Sequence, residues 1–168
     1  GSVDLAVAFS YEGTDPGRGE DDLAGLEVID VLTDPVMLVL PRTHPLAERS
    51  EVDIADLAGD RWIAGCARCR GHLLQIANNA GFAPKVAFET EDYVAVQGFV
   101  AAGLGVALIP DLIRAATSNP DVVIRPLDPT SHRRIHAVTT EDLLKVPAVA
   151  ATLEALVASA AVATPTSV

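Results

Sequence analysis

Two cysteines three residues apart, Cys66 and Cys69, stand in the stretch WIAGCARCRGHLLQ, with His72 three residues further on. Three chemistries use such residues. Zinc binds thiolate and imidazole, but a structural zinc site takes four ligands and no second Cys or His pair lies near in sequence. A CxxC at the start of a helix can cycle between dithiol and disulfide, because a helix N-terminus favours the reactive thiolate. Otherwise the two sulfurs shape the mouth of a pocket, one of them buried as a small apolar group. Arg68 and Arg70 in the same turn carry the planar fork that pairs with a carboxylate, or they are solvated loop charges.

Further along, Glu91 and Asp92 fall at a helix start, where the helix dipole alone accounts for them. Facing a pocket, they would favour a ligand with an amine or hydroxyls. Tyr93, beside them, combines a stacking ring with a hydroxyl donor. His132, Arg133, Arg134 and His136 form a basic group that reads more readily as an exposed strand face than as a site, and His44 before Pro45 reads as a turn residue. The chain has no G-x-S-x-G, P-loop, H-E-x-x-H or dinucleotide glycine pattern. Cys66 with His72 is the one conceivable dyad, so catalysis is not expected.

Elements must bring these residues together. The run VDLAVAF, Val3 to Phe9, suits a buried strand, and Ser10 to Asp22 is loop chemistry. LEVIDVL alternates as a strand, TDP turns, and VMLVLP, Val36 to Pro41, makes a second, buried strand ended by its proline. Turns and one short helix follow through Val52 to Gly59. RWIAG is then a strand and HLLQIANNAGF a helix whose stop is Gly81 with Phe82. PKVAFE is a strand, Thr90 the expected N-cap of the helix YVAVQGFVAA, Gly103 and Leu104 its stop, and GVALIP a third strand. Right-handed crossovers make these three strands parallel, with helices covering them. DLIRAA, DVVIRPL, RRIHAVTT and PAVAATLEALVASAAVA read as helix, strand, strand and final helix. Ligands of parallel α/β sheets bind beyond the carboxyl ends of the strands, where helix N-termini present free N–H groups. That edge comprises Gly65 to Arg70, Thr90 to Tyr93, and Pro110 with Asp111.

The 168 residues carry a net charge of −11, and the first thirty-four include nine acidic residues against Arg18 alone. Such a surface repels a phosphate backbone, so DNA is not an expected partner of this segment by itself. No apolar run of membrane-spanning length and no basic, signal-like start occur, which makes the cytoplasm, with thiols reduced, the expected location. Aromatics are only 4 %, so the core is expected to be aliphatic.

The stretches GSVDLAVAF, VLTDPVMLVLPRTHPLA, DIADLAGDRWI, NAGFAPKVAFETEDYVAVQGFVAAGLGVALIPD and VVIRPLDP stand in an order that resembles the effector-binding domain of LysR-type transcriptional regulators. HPLA and VAAGLGVALIP are the most specific of them, and the resemblance covers nearly the whole chain. It implies an α/β, type 2 periplasmic-binding-protein-like fold of two lobes with a small-molecule inducer in the cleft. Lobe I would be residues 1–41 and 113–168, incomplete at its start, and lobe II residues 42–112. The family's helix-turn-helix is expected to be absent before Val3, so DNA would be reached only through that missing domain. Self-association is also implied, as dimers, or tetramers of the full-length protein; the incomplete lobe would add exposed sheet edge prone to aberrant dimers. The inducer contacts carried over are Phe9 and Ser10, in the loop after the first strand, with Ala64, Gly65, Cys66 and Arg68. To these the family adds Thr90, Glu91, Asp92 and Tyr93, and the corner Ile109 and Pro110. No metal, cofactor or membrane is expected. The alternatives are a solute-binding module of a transport system, or a thiol or metal sensor using Cys66 and Cys69.

Overall fold

Side-chain alternation along neighbouring strands decides where the core lies. The computed structural model describes residues 3–11 and 25–163. They fall into two units, Gly1–Asp34 with Arg133–Val168, and Pro35–His132. The sequence had placed the lobe limits at residues 41/42 and 112/113. Strand β1 is Ala6–Tyr11, and β2 is a single fifteen-residue strand, Glu27–Pro41. Two strands separated by a TDP turn were expected here. The backbone instead runs straight through, because Asp34 is buried and ion-paired with Arg133 at 2.8 Å, while the Pro35 carbonyl accepts the Asp111 N–H at 2.8 Å.

In the Pro35–His132 unit, β3 (Val52–Asp53) and a 3-10 turn (Ile54–Leu57) precede β4 (Arg61–Ala64), helix α1 (Ala67–Asn79), β5 (Lys85–Glu89), α2 (Tyr93–Ala101) and β6 (Val106–Pro110). Helix α3 (Leu112–Ala116), β7 (Val122–Arg125) and β8 (Leu127–Asp128) complete it. The strand order is β2–β6–β4–β5, with β7 also on β2. As the sequence implied, β4 runs parallel to both β5 and β6. Strand β2 adds antiparallel pairs to β6 and β7, so the sheet is mixed.

Successive strand residues face opposite ways. Leu38, Leu40, Trp62, Ala64 and Val106 therefore join Leu73 of α1 on one face, while Val39, Ile63, Ala107 and Ile109 join Val96 and Val100 of α2 on the other. Each fully buried large aliphatic side chain contributes about 1.5–3 kcal/mol. Both helices end alike. After α1, the Gly81 N–H bonds to Asn78 O and the Phe82 N–H to Ala77 O, with Gly81 at φ 85°. After α2, Gly103 bonds Val100 O and Leu104 bonds Phe99 O, with Gly103 at φ 72°. This double bond pattern with a left-handed glycine satisfies carbonyls the helix leaves open. The expected N-cap Thr90 is corrected: the cap is Asp92, whose carboxylate accepts the Val94 and Ala95 N–H groups, and Thr90 Oγ1 instead accepts the Asp92 N–H.

The other unit has strand order β1–β9–β2, β9 being Ser131–Thr139, followed by α4 (Glu141–Leu144) and α5 (Pro147–Ala163). Strand β1 pairs antiparallel with β9 from Ala6 opposite Val138 to Tyr11 opposite Arg133. It is not the buried strand expected, since it ends the strand order and Val7 is 61 % exposed. Ser10 and Tyr11, expected in a loop, are its last residues because their partners Arg134 and Arg133 extend the ladder. The rest of that expected loop lies outside the described residues. Among the described residues, no helix is long and apolar enough to cross a membrane.

Candidate functional site

Parallel strands that end together bring the turns after them together. Ala64 ends β4 and Glu89 ends β5, and these residues are paired in the ladder. The Thr90 N–H donates to the Ala64 carbonyl at 3.0 Å, which ties the turn Gly65–Cys66 before α1 to the turn Thr90–Asp92 before α2. Two helix N-termini thus open onto one edge, each with the positive end of its dipole and each with part of its open N–H groups capped, by Cys66 or by Asp92.

The first turn of α1 is built around sulfur. Cys66 is the N-cap, its Sγ accepting the Cys69 N–H at 3.4 Å, and the two Sγ atoms lie 2.8 Å apart as free cysteines, both half-buried. Gly65 makes the room: a Cβ there would lie 3.0 Å from Cys69 Cβ. Arg68 follows, half-buried, and neither helix has an acidic residue in its first turn. Arg70 reaches across to Glu89, Nε to Oε1 2.8 Å, in an exposed ion pair. Glu91 and Asp92 are exposed, and Asp92 serves as cap. Tyr93, half-buried, packs against the Val96–Val100 cluster. Ala64 and Ile109 are 2 % and 0 % exposed and give their side chains to the core; Pro110 is buried as well.

His72 is turned toward Ser131. It lies on the inner face of α1, 6 % exposed, with Nε2 2.6 Å from Ser131 Oγ, and burial pushes its pKa down from 6.5 to about 4. Desolvation disfavours the imidazolium, so the ring is neutral at neutral pH. Among the described residues, no group of three His, Cys, Asp or Glu is arranged to hold a metal ion.

Phe9 and Ser10 belong to the other unit. The Phe9 ring meets Tyr11 edge-on at 5.8 Å, and the Arg133 guanidinium lies 5.3 Å from its centroid. Both Nε and Nη2 of Arg133 are 2.8 Å from Asp34 Oδ2, with Asp34 1 % exposed. Ser10 Oγ lies 2.9 Å from His136 Nε2, and His136 Nδ1 2.8 Å from Asp30 Oδ1. The order Ser–His–Asp matches an acyl-transfer triad, in which the carboxylate is buried so that it orients the imidazole. Here the Asp30 side chain is 74 % exposed on a strand face, and the chain of bonds acts as a polar strap across β1, β9 and β2. The basic group expected as an exposed face is divided: Arg134 and His132 are exposed, whereas Arg133 and His136 are turned into these contacts. Sequence reasoning missed both contacts. For Arg133 the signal available was the period of two along β9, which puts it on the face of the buried Ala137; the same period groups His136 with the exposed Arg134 and gives no sign of the His136 contact.

A family model described as "LysR substrate binding domain" matches residues 1–161. The transcriptional dual regulator GltC of Bacillus subtilis (strain 168) is 34 % identical over 101 residues, which are 58 % of this chain and 33 % of GltC. The chain spans about a third of the length of the curated relatives it matches first. Among solved structures, the regulatory domain of CcmR from Synechocystis PCC6803, in complex with 2-PG, superimposes with a TM-score of 0.75 at 18 % identity. That match covers 94 % of this chain and 73 % of CcmR's. The effector-binding domain of QuiR in complex with shikimate gives 0.73 at 20 % identity, covering 95 % of this chain and 73 % of that one. The likeness to these two structures is one of fold, and the fold they share is the type 2 periplasmic-binding-protein-like one expected from the sequence.

Proposed function

The chain belongs to the LysR substrate-binding domain family, and on that premise we propose that it is the effector-binding domain of a longer transcriptional regulator and takes a small organic anion at the edge where α1 and α2 begin. The observation that carries this is the Thr90 N–H to Ala64 O bond, which holds the two strand-to-helix turns side by side on one edge. Gly65, Cys66 and Arg68 on one turn and Thr90 and Tyr93 on the other are the contacts of the anionic group, Arg68 supplying the charge and Tyr93 the ring, while Glu91 and Asp92 at the same turn suit hydroxyls on the rest of the ligand. A carboxylate suits the α1 side of this edge, where the helix dipole and the Arg68 guanidinium favour negative charge and the first turn has no acidic residue. The complexes of CcmR with 2-PG and QuiR with shikimate support a small-molecule ligand. Ala64, Ile109 and Pro110 frame the edge from the core, contributing backbone rather than side chains.

The regulator's output is a population shift: a ligand preferring one arrangement of the domain and its oligomer biases DNA-binding segments elsewhere in the longer protein. The test is thermal unfolding against a panel of carboxylate metabolites that includes shikimate. A ligand at a hundred times its Kd adds about 2.7 kcal/mol, which raises Tm by roughly 5–10 °C for a domain of this size. The rise is expected to disappear in Arg68→Ala at the same ligand concentration. A rise of unchanged size in that variant refutes the placement of the anion.

A further inference from the structure

The two sulfurs at the start of α1 are closer together than the cap requires. A cysteine N-cap needs only one sulfur near the Cys69 N–H, yet Cys69 Sγ turns back to within 2.8 Å of Cys66 Sγ. The glycine at position 65 leaves the space into which Cys69 fits, its would-be Cβ lying 3.4 Å from Cys69 Sγ. A disulfide bond is about 2.05 Å long, so the sulfurs need to approach by roughly 0.8 Å, within what a side-chain rotation at a helix end supplies. Both residues are half-buried, so a small reagent reaches them from solvent.

We propose that Cys66 and Cys69 are a redox-active dithiol that a small hydroperoxide oxidises to an intrachain disulfide. One sulfur, as thiolate, attacks the terminal oxygen of the hydroperoxide; the O–O bond breaks, the alkoxide leaves and takes up the proton lost by the thiol, and a sulfenic acid remains. The second sulfur then displaces the sulfenic hydroxyl, which departs as water with the second thiol proton. The sum is two thiols and one hydroperoxide giving one disulfide, one alcohol and one water, and the two electrons taken from sulfur reduce the O–O bond. The chemistry stands on the sulfur geometry alone; that it bears on the anion site, by locking the turn Gly65–Cys69, rests on the reading given under Proposed function.

The test is hydrogen peroxide at one equivalent on the reduced protein, followed by thiol titration, intact mass and a non-reducing gel. Titratable thiols are expected to fall from the two in the sequence to none, the mass to drop by about 2 Da, and the product to run as a monomer that dithiothreitol restores. Cys66→Ser keeps an oxygen acceptor at the N-cap and so keeps the fold. Its single thiol is expected to gain about 16 Da or more per oxygen, with no loss of mass. The proposal is overturned if the unsubstituted protein retains two thiols, gains oxygen mass without losing 2 Da, or links chain to chain. None of these readouts involves the anion, so a failed ligand panel leaves them unaffected.

Discussion

His72 makes stability depend on pH in a way that one substitution removes. The folded ring takes up its proton only near pH 4, whereas the unfolded ring does so at 6.5. As pH falls through 6.5, the unfolded chain binds a proton that the folded one cannot, and stability is lost progressively until about pH 4, below which both states are charged and the loss is complete. The full difference of the two pKa values corresponds to about 3 kcal/mol, and the titration puts about 2 kcal/mol of it between pH 7 and pH 5. His72→Gln retains a neutral group able to bond Ser131 Oγ and has no proton to gain. Urea unfolding at pH 7 and pH 5 measures the difference, read by the fluorescence of Trp62, the one tryptophan, which is fully buried beside Leu73 in the same cluster. The other titrating groups act in both proteins and cancel where they are distant from position 72. The unsubstituted protein is expected to lose about 2 kcal/mol more than His72→Gln on acidification. Parallel losses in the two proteins would refute the argument that burial keeps this ring neutral.

Two further substitutions test the framework. Arg133→Met removes the guanidinium from Asp34, which is 1 % exposed, and breaking a buried ion pair from one side costs about 3–5 kcal/mol, so the urea midpoint should fall sharply. Recovery of most of that loss in the Arg133→Met, Asp34→Leu double variant would show that the cost lies in keeping the Asp34 carboxylate buried without the guanidinium; no recovery would contradict it. Gly105→Ala places a Cβ 2.6 Å from the Arg61 carbonyl oxygen, where β6 closes on β4. A contact with backbone cannot be relieved by a rotamer, so a Tm lower by several degrees is expected from a cost of about 1–3 kcal/mol, and an unchanged Tm would show that the two strands can separate there.

How far the fold was legible depended on whether neighbouring signals were local. The stretch from Arg61 to Pro110 carries its own punctuation: Gly81 with Phe82 and Gly103 with Leu104 each end a helix through bonds confined to six residues, and each apolar run between them is a strand. The β2 region failed for the opposite reason. TDP has turn chemistry, but Asp34 is held by Arg133, about a hundred residues away in sequence, and Pro35 needs no N–H partner, so a tertiary ion pair overrode local preference. The same contact took Arg133 out of the basic group. Strand β1 was misjudged as buried because an apolar run shows what could be covered and not what covers it.

The strand edge proposed as the site was legible in the sequence, and the engagements of its side chains were not. The strand-edge rule needs only element order, and it placed Gly65–Arg70 and Thr90–Tyr93 on one edge, where the Thr90 to Ala64 bond joins them. Which side chains remain for a ligand is decided by local competition. Asp92 serves as a cap, Arg70 pairs with Glu89 and His72 lies in the core, and none of these engagements shows in the sequence. Residues at helix starts are chosen first to satisfy open N–H groups, so a chemical motif there must be discounted for the cap it makes. Cys66 makes that cap with one sulfur. The second sulfur, 2.8 Å away, is the part that capping does not explain.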